Sequence, residues 1–134
     1  MRPPTLDDLG LICALTEQAR QYAQKGLHIA VDAPENLPPL PAAVEVAVYR
    51  IVQEALTNVV RHADARACIV RLRVNGGLEL HISDDGQGIA AARQAGVGLY
   101  SMHERVAELG GSCEISSAPG KGACIQVRLP RQIG

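Results

Sequence analysis

The fold is decided by residues 67–83, which read ACIVRLRVNGGLELHIS. On both sides of the turn at 75–77, apolar side chains alternate with polar or charged ones, and this pattern predicts two strands joined as a hairpin. The alternation is strict from Leu78 to Ile82, which is typical of a sheet with only one buried face. The stretch therefore predicts a sheet that helices cover on a single side.

Outward from the hairpin, helical and strand patterns alternate along the chain. Apolar spacing predicts helices over 6–25, 42–63 and 99–109, and further strands over 27–31, 112–117 and 123–129. With the hairpin, this order predicts an α+β two-layer sandwich, in which three helices cover one face of a mixed, largely antiparallel sheet of about five strands. No repeat or internal linker divides the chain, so residues 1–134 are expected to form a single domain.

Composition narrows the classes of function. The 134 residues are 47% hydrophobic but only 2% aromatic, with no Phe or Trp, so the core must be aliphatic. The formal net charge is -1, so the composition does not indicate the basic surface that nucleic-acid binding requires. No apolar run approaches the ~20 residues of a membrane helix, and the first residues lack the apolar region of a signal peptide. We therefore expect a cytoplasmic domain that itself contacts neither nucleic acid nor membrane. The parent protein of such a domain can still be a membrane-bound sensor, with this domain at its cytoplasmic end.

The four cysteines are expected to be reduced thiols. None of Cys13, Cys68, Cys113 and Cys124 forms a CxxC pair, so a zinc site is not predicted. The last three lie in apolar strand patterns, where a free thiol packs as a small hydrophobic side chain. Reduced structural cysteines are typical of a cytosolic domain.

The helix predicted over 42–63 carries an unusual polar edge. Each residue of a helix turns about 100°, so one stripe for the core contains Val44, Val48, Ile51, Ala55 and Val59. Glu54, Asn58 and Arg61 fall together on one margin of that stripe. The amide oxygen of Asn58 suits Mg²⁺ carried by ATP, and Arg61 suits phosphate oxygens. The alternative is a surface cluster in which Glu54 pairs with Arg61. His62 lies near the centre of the apolar arc, where a lone histidine is more often a core residue than a ligand.

Two glycine-containing segments follow the hairpin. A carboxylate at Asp84, directly after a strand, can accept a hydrogen bond from the exocyclic amine of adenine and would repel the oxygen of guanine. Gly86 and Gly88 would let the backbone approach the base. Residues 96–99 open a helix, whose free amides attract phosphates. The structural alternative for the first segment is an ordinary turn, and a GxG alone is weak evidence for the second.

In this order, the pieces resemble the GHKL ATPase superfamily with its Bergerat-type nucleotide site. Residues 54–63 resemble the N box, residues 84–89 the G1 box, and residues 96–106 the G2 box of sensor histidine kinases of the nitrate-sensor and desaturase-thermosensor type. Residues 2–11 resemble the segment after the dimerisation helices of those kinases. The resemblance covers nearly the whole chain, and it implies that 1–10 is the junction from a missing dimerisation and phosphoacceptor domain.

The resemblance implies a protein histidine kinase domain that binds ATP and Mg²⁺ and donates the γ-phosphate to a histidine on a separate dimerisation domain of the same parent. A response regulator would be an indirect partner. By the same resemblance Asn58 holds Mg²⁺, Asp84 reads adenine, and Arg61 and His62 lie near the phosphates. The implied nucleotide-binding set also includes Gly86, Gly88, Ile89, Gly96, Gly98 and Leu99.

Some features leave other interpretations open. Glu54 matches the water-activating carboxylate of hydrolytic relatives, although a kinase should avoid water. Ala123 stands where the family usually has a Thr that supports the adenine-binding Asp, so weakened ATP binding is expected. A degenerate domain that only docks is therefore one alternative, and an anti-sigma-factor serine kinase of the same fold is another. His103-Glu104 imitates a phosphoacceptor pair, but we expect its helix to need that face for packing.

Overall fold

The structure is a computed structural model that describes residues 4–24, 26–34, 40–60, 67–85, 97–117 and 122–130. In chain order, the helices and strands of this part are α1 Pro4–Ala23, β1 His28–Asp32, α2 Ala42–Asn58, β2 Ala67–Val74, β3 Gly77–Asp84, α3 Val97–Glu108, β4 Ser112–Ser117 and β5 Ala123–Pro130. The predicted hairpin is confirmed: β2 has the predicted bounds, and β3 is one residue longer at each end. The backbone reverses at Gly76, where φ is +72°.

The five strands form one mixed sheet in the order β1-β2-β3-β5-β4. The edge strand β1 runs parallel to β2, and all other neighbours are antiparallel. β5 follows β4 in the chain but lies between β4 and the β2–β3 hairpin in the sheet. The mixed, largely antiparallel sheet predicted from the sequence is therefore confirmed.

The core lies between the helices and one face of the sheet. Burial alternates along β2 and β3, as the hairpin pattern predicted. All five residues of the predicted core stripe are buried, four of them on α2 and Val59 directly after it, together with Ala47, Val52 and Leu56. The largest fully buried side chains are aliphatic or Met: Leu15, Ile51, Leu56, Leu72, Leu78, Leu80, Met102, Val44, Val48, Val52 and Val70. Because helices cover a single face, the molecule is the expected two-layer sandwich.

Leu80, in the middle of the central strand β3, is the sharpest test of this core. Its side chain is 0% exposed, so Leu80→Ala should lower the free energy of unfolding by about 2–5 kcal/mol through the lost transfer term and the cavity. Ile69→Ala is the control, because Ile69 lies on the open face of the sheet at 42% exposure. Urea unfolding of both variants measures the difference, and equal losses would contradict the one-sided core.

The first helix differs from its prediction. Apolar spacing predicted an uninterrupted helix over 6–25, whereas α1 is interrupted at Gly10, which has φ 82° and ψ 171°. Glycine adopts this conformation without steric cost. The apolar spacing on either side of Gly10 is the same as in an uninterrupted helix, so it did not predict the break. The helix ends at Ala23, two residues before the predicted end, and Gly26, at φ 91°, donates its N–H to the carbonyl of Ala23 at 3.1 Å.

The edge strand β1 is tied to β2 by charge. The Asp32 carboxylate lies 2.8 Å from the guanidinium of Arg73 and 3.2 Å from that of Arg71. The hydrogen bond from Arg73 lowers the pKa of the Asp32 carboxyl most, and the hydrogen bond from Arg71 is the second cause. Charged side chains of this kind also protect a sheet edge from pairing with other chains. Among the described helices, none is long and apolar enough to cross a membrane.

Candidate functional site

Packing at one end of the sandwich fixes the directions of α2 and α3. A groove lined by Ala42 at the start of α2 and by Leu109 just past α3 places these two ends side by side. The turn after α3 lies against β5, since a Cβ at Gly111 would stand 2.1 Å from the carbonyl oxygen of Arg128. The end of β5 pairs with the start of β3. The start of α2, the end of α3 and the start of β3 therefore lie together.

The opposite ends of these elements form the candidate site. At 1.5 Å per helical residue, the 17 residues of α2 extend about 25 Å. At about 3.4 Å per strand residue, the 8 residues of β3 extend about 27 Å. The end of α2 at Asn58, the end of β3 at Asp84 and the start of α3 at Val97 are thus at the same end. The described parts of the segments that resemble the N, G1 and G2 boxes are therefore at this end of the sandwich.

Asp84 occupies the centre of a short row across the sheet. It is the last residue of β3, and it pairs with Cys68 of β2 on one side and with Ala123 of β5 on the other. All three positions continue the inward-facing set of their strands. The carboxylate is therefore on the helix-covered face, at the edge of the core.

The neighbouring carboxylate, Asp85, fixes the end of the hairpin. Its Oδ1 accepts a hydrogen bond from the backbone N–H of Ala67 at 3.0 Å, and its own N–H donates to the carbonyl of Ala67 at 3.2 Å. These two hydrogen bonds end the β2–β3 ladder one residue after Asp84. Sequence analysis assigned no role to Asp85, and only the strand register, which places Ala67 beside it, shows the contact.

Gly122 is a second residue that sequence analysis missed. It has φ +80°, and a Cβ there would lie 2.0 Å from the carbonyl oxygen of Asp84 and 3.3 Å from the Cα of Asp85. The backbone before β5 thus touches the backbone that carries the candidate adenine-reading carboxylate. Only glycine satisfies both the left-handed conformation and this approach. The glycine spacing after Pro119 was the available signal, but it equally suits a plain hairpin turn.

The described residues of the polar edge, Glu54 and Asn58, lie near the C-terminal end of α2, which is the end that faces the candidate site. Glu54 and Asn58 are one turn apart and both half-buried. Thr57, next to Asn58, shares a 2.6 Å hydrogen bond with the hydroxyl of Tyr22, so α1 holds the last turn of α2. The chain continues as a wider, π-helical turn at 59–60, a feature frequent at functional sites.

Several predicted site residues lie outside the described residues: Arg61, His62, Gly86, Gly88, Ile89 and Gly96. Gly98 and Leu99 are in the first turn of α3. The structure therefore places Asn58, Asp84 and the start of α3 at the same end of the sandwich, with Glu54 one turn before Asn58. The roles of all these residues remain predictions.

The thiol of Cys68, paired with Asp84 across the β2–β3 ladder, has a raised pKa. Its side chain is 1% exposed, and burial, followed by the negative charges of Asp84 and Asp85, raises the pKa of the thiol to about 12. Cys68 is therefore a neutral S–H next to the Asp84 carboxylate at physiological pH. Cys113 is also a thiol whose pKa is raised by burial, whereas Cys13 is exposed.

His103 and Glu104 are on the exposed side of α3. The expectation that packing would occupy this face is therefore wrong, because Met102 and Val106 are the α3 residues that enter the core. The pair needs an experimental control in any test of phosphotransfer.

The described residues contain no group of three or more His, Cys, Asp or Glu side chains that could hold a metal ion. The α2 edge of the site carries the amide of Asn58, the predicted Mg²⁺ ligand, and the carboxylate of Glu54 one turn earlier. A single neutral oxygen fits Mg²⁺ that arrives on a nucleotide, since this ion keeps water and phosphate ligands and takes few from protein.

Comparison with known proteins agrees with this geometry. The model of histidine kinase-, DNA gyrase B- and HSP90-like ATPases matches residues 43–133. The sensor histidine kinase LiaS of Bacillus subtilis (strain 168) is 38% identical over 97% of this chain and 37% of its own length. The oxygen sensor histidine kinase NreB of Staphylococcus carnosus (strain TM300) is 30% identical over 97% of this chain and 39% of its own. The chain thus spans about two fifths of these relatives.

Solved structures share the fold. The histidine kinase domain of the blue-light-activated kinase from Erythrobacter litoralis EL346 superposes with a TM-score of 0.71 at 23% identity, covering 87% of this chain and 59% of that one. Full-length ShkA in complex with AMPPNP gives a TM-score of 0.71 at 19% identity, over 92% of this chain and 30% of that one. With the family model covering most of the sequence, the chain belongs to the histidine kinase-, DNA gyrase B- and HSP90-like ATPases, as a histidine kinase-type ATPase domain of the sensor kinases.

Proposed function

We propose that this chain binds MgATP and donates its γ-phosphate to a histidine on a separate dimerisation domain of a two-component sensor kinase. The observation that carries the proposal is the placement of Asp84. The carboxylate ends β3 on the helix-covered face, between the Asp85–Ala67 hydrogen bonds and the close approach of Gly122. Asn58 is at the same end of the sandwich, and the relatives named above are sensor histidine kinases.

Asp84 is the proposed determinant of base specificity. A carboxylate accepts a hydrogen bond from the exocyclic amine of adenine, whereas guanine presents an oxygen at that position and is repelled. A site with a fixed polar group rejects the base that leaves this group unpaired. Because backbone contacts on both sides fix Asp84, the chain should bind ATP and not GTP.

The phosphates are proposed to lie between α2 and the start of α3. Asn58 would hold Mg²⁺, Arg61 and His62 would contact phosphate oxygens, and the amides at Gly98 and Leu99 would face the phosphate chain. When bound, the ion neutralises charge that develops on the transferred group. The chain itself contributes position, which is most of what a phosphoryl transfer requires of a protein. Glu54, half-buried one turn before Asn58, is the proposed carboxylate near the reacting phosphate.

The acceptor is proposed to be outside this chain. The partner is then the dimerisation and histidine-phosphotransfer domain of the same parent, and the phosphoryl group passes onward to a response regulator. We propose a cytoplasmic location, where ATP is available. His103 is the internal alternative, because it is exposed and followed by Glu104.

Titration and transfer test the proposal together. With Mg²⁺, calorimetry should show saturable ATP binding and no GTP binding. Added to the purified dimerisation domain of the parent kinase, the chain and labelled ATP should produce acid-labile phosphate on that domain, with no label on the chain. His103→Ala should transfer equally well. Acid-stable label would indicate a serine kinase, label on the chain that disappears in His103→Ala would identify an internal acceptor, and no ATP binding would indicate a docking domain.

Restoring a hydroxyl beside Asp84 should strengthen ATP binding. Ala123 pairs with Asp84 and is buried at the same face, so a threonine there can donate a hydrogen bond to the carboxylate and hold it. Ala123→Thr should bind ATP about three- to tenfold more tightly, as one added hydrogen bond allows. Ala123→Val has the same shape without the hydroxyl, and calorimetry should show no gain for it. A gain in both variants would attribute the effect to packing.

A further inference from the structure

The second half of α1 packs on α2 through polar as well as apolar side chains. Leu11, Ala14 and Leu15 enter the core, and the next buried residue, Gln18, is 4% exposed. Its Nε2 donates to the carbonyl of Tyr49 at 3.4 Å, and its Oε1 finds no hydrogen-bond partner among the described residues. A buried amide that is only half satisfied costs free energy. Buried polar side chains of this kind fix how two helices sit on each other at the expense of stability.

Tyr22, one helical turn after Gln18, makes a second polar contact with α2. Its hydroxyl lies 2.6 Å from the hydroxyl of Thr57, and either oxygen can be the donor. The Tyr22 side chain is half-buried and packs against the core. A tyrosine ring has two side-chain torsions and is rigid beyond them, so packing of the ring fixes the position of its hydroxyl. α1 therefore holds α2 at a defined point near its end.

This point is the last turn of α2, where Thr57 directly precedes the proposed Mg²⁺ ligand, Asn58. The core fixes the inward side of the turn, through Leu56 at 0% exposure. After Asn58 the chain widens into the π-helical turn at 59–60, so the regular α-helical hydrogen bonds do not continue past the ligand. The hydroxyl contact with Tyr22 holds the turn on a second side.

We propose that Tyr22 is a positioning residue for Mg²⁺, because by holding Thr57 it fixes the turn that presents the amide of Asn58 to the ion. The inference rests on the proposed function, in which Asn58 is the Mg²⁺ ligand. Mg²⁺ demands near-ideal octahedral geometry with ligand distances of about 2.0–2.1 Å, so a small displacement of the amide oxygen weakens its bond to the ion. Recognition of adenine, at the end of β3, does not depend on this hydroxyl.

The readout is the gain in ATP affinity on addition of Mg²⁺, taken from calorimetry of the whole chain in EDTA and in Mg²⁺. Tyr22→Phe should reduce this gain about three- to tenfold and leave the affinity in EDTA within about twofold. Tyr49→Phe is the matched control. Tyr49 lines the same cleft between α1 and α2, and the substitution removes the same atom without touching the bond to Thr57, so the gain should stay within about twofold.

Asn58→Ala separates this inference from the proposed function. It removes the proposed ligand and should abolish the gain. If Asn58→Ala abolishes the gain while Tyr22→Phe keeps it in full, or if Tyr49→Phe loses as much as Tyr22→Phe, the inference is overturned and the proposed function stands. If Asn58→Ala keeps the gain, or the unchanged chain shows none, the proposed Mg²⁺ site fails and the inference falls with it.

Urea unfolding without nucleotide tests the contact itself. Tyr22→Phe alone should raise the equilibrium constant for unfolding about fivefold, as expected for the loss of one hydrogen bond. In the background of Thr57→Val the partner hydroxyl is already gone, so the same substitution should change the constant by less than about twofold. Equal effects in the two backgrounds would show that the hydroxyls are not coupled and would overturn the inference.

Discussion

Asp84→Asn should abolish measurable ATP binding while the domain stays folded. The side chains have nearly the same shape, but the amide can present an N–H₂ donor to the amine of adenine, and it carries no charge. Loss of a hydrogen bond to a charged group, together with an unpaired buried donor, should weaken ATP binding by at least about 100-fold. Calorimetric titration with MgATP measures the affinity, and urea unfolding checks that the fold persists.

Asp32→Asn is the control for this substitution. It makes the same chemical change on the open face of the sheet, where Asp32 pairs with Arg73 and Arg71, and it should leave ATP affinity within about twofold. If Asp84→Asn binds ATP as tightly as the unchanged chain, adenine is not read at Asp84, and the proposed site is misplaced.

Gly122→Ala should damage both the fold and the site. The left-handed backbone alone costs a non-glycine residue about 1–2 kcal/mol. The new Cβ would also overlap the carbonyl oxygen of Asp84, at 2.0 Å, so β3 and β5 must separate where they flank the carboxylate. We expect the free energy of unfolding to fall by about 3 kcal/mol or more and ATP affinity to fall at least about tenfold.

Gly76→Ala isolates the steric part of that effect. Gly76 also has a left-handed backbone, at φ +72°, but a Cβ there meets nothing within 4 Å. Gly76→Ala should therefore cost only the conformational term, about 1–2 kcal/mol, and leave ATP binding unchanged. Urea unfolding and calorimetry on the two variants give the comparison. Equal losses would mean that the contact between Gly122 and Asp84 has no energetic weight.

The hairpin shows what could be predicted from the sequence and why. Alternation along β2 and β3 is a local signal with a period of two, and burial on one face follows from it directly. The stripe on α2 was predictable for the same reason, with its period of 3.6. The interruption at Gly10 was not, because a single residue with unusual φ hardly changes the apolar spacing around it.

The site depended on long-range geometry that periodicity does not contain. Asn58 and Asp84 could be related before the structure only through resemblance to a family, since the direction of α2 over the sheet is set by packing against α3. The contact of Gly122 with Asp84 and the anchoring of Asp85 on Ala67 both need the strand register. His103 shows the opposite failure: its face of α3 was assigned from an assumed packing surface, and Met102 and Val106 occupy that surface instead.

The position of β5 has a consequence for synthesis on the ribosome. A chain emerges N-terminus first, so β2, β3 and β4 are available before β5. Among the described strands, β4 has only β5 as its neighbour, and Asp84 has β5 on one flank. A nascent chain that has emerged only as far as β4 therefore lacks both the anchor of β4 and the Gly122–Ala123 wall of the site. If the proposed function is correct, nucleotide should stabilise the domain only after β5 has emerged.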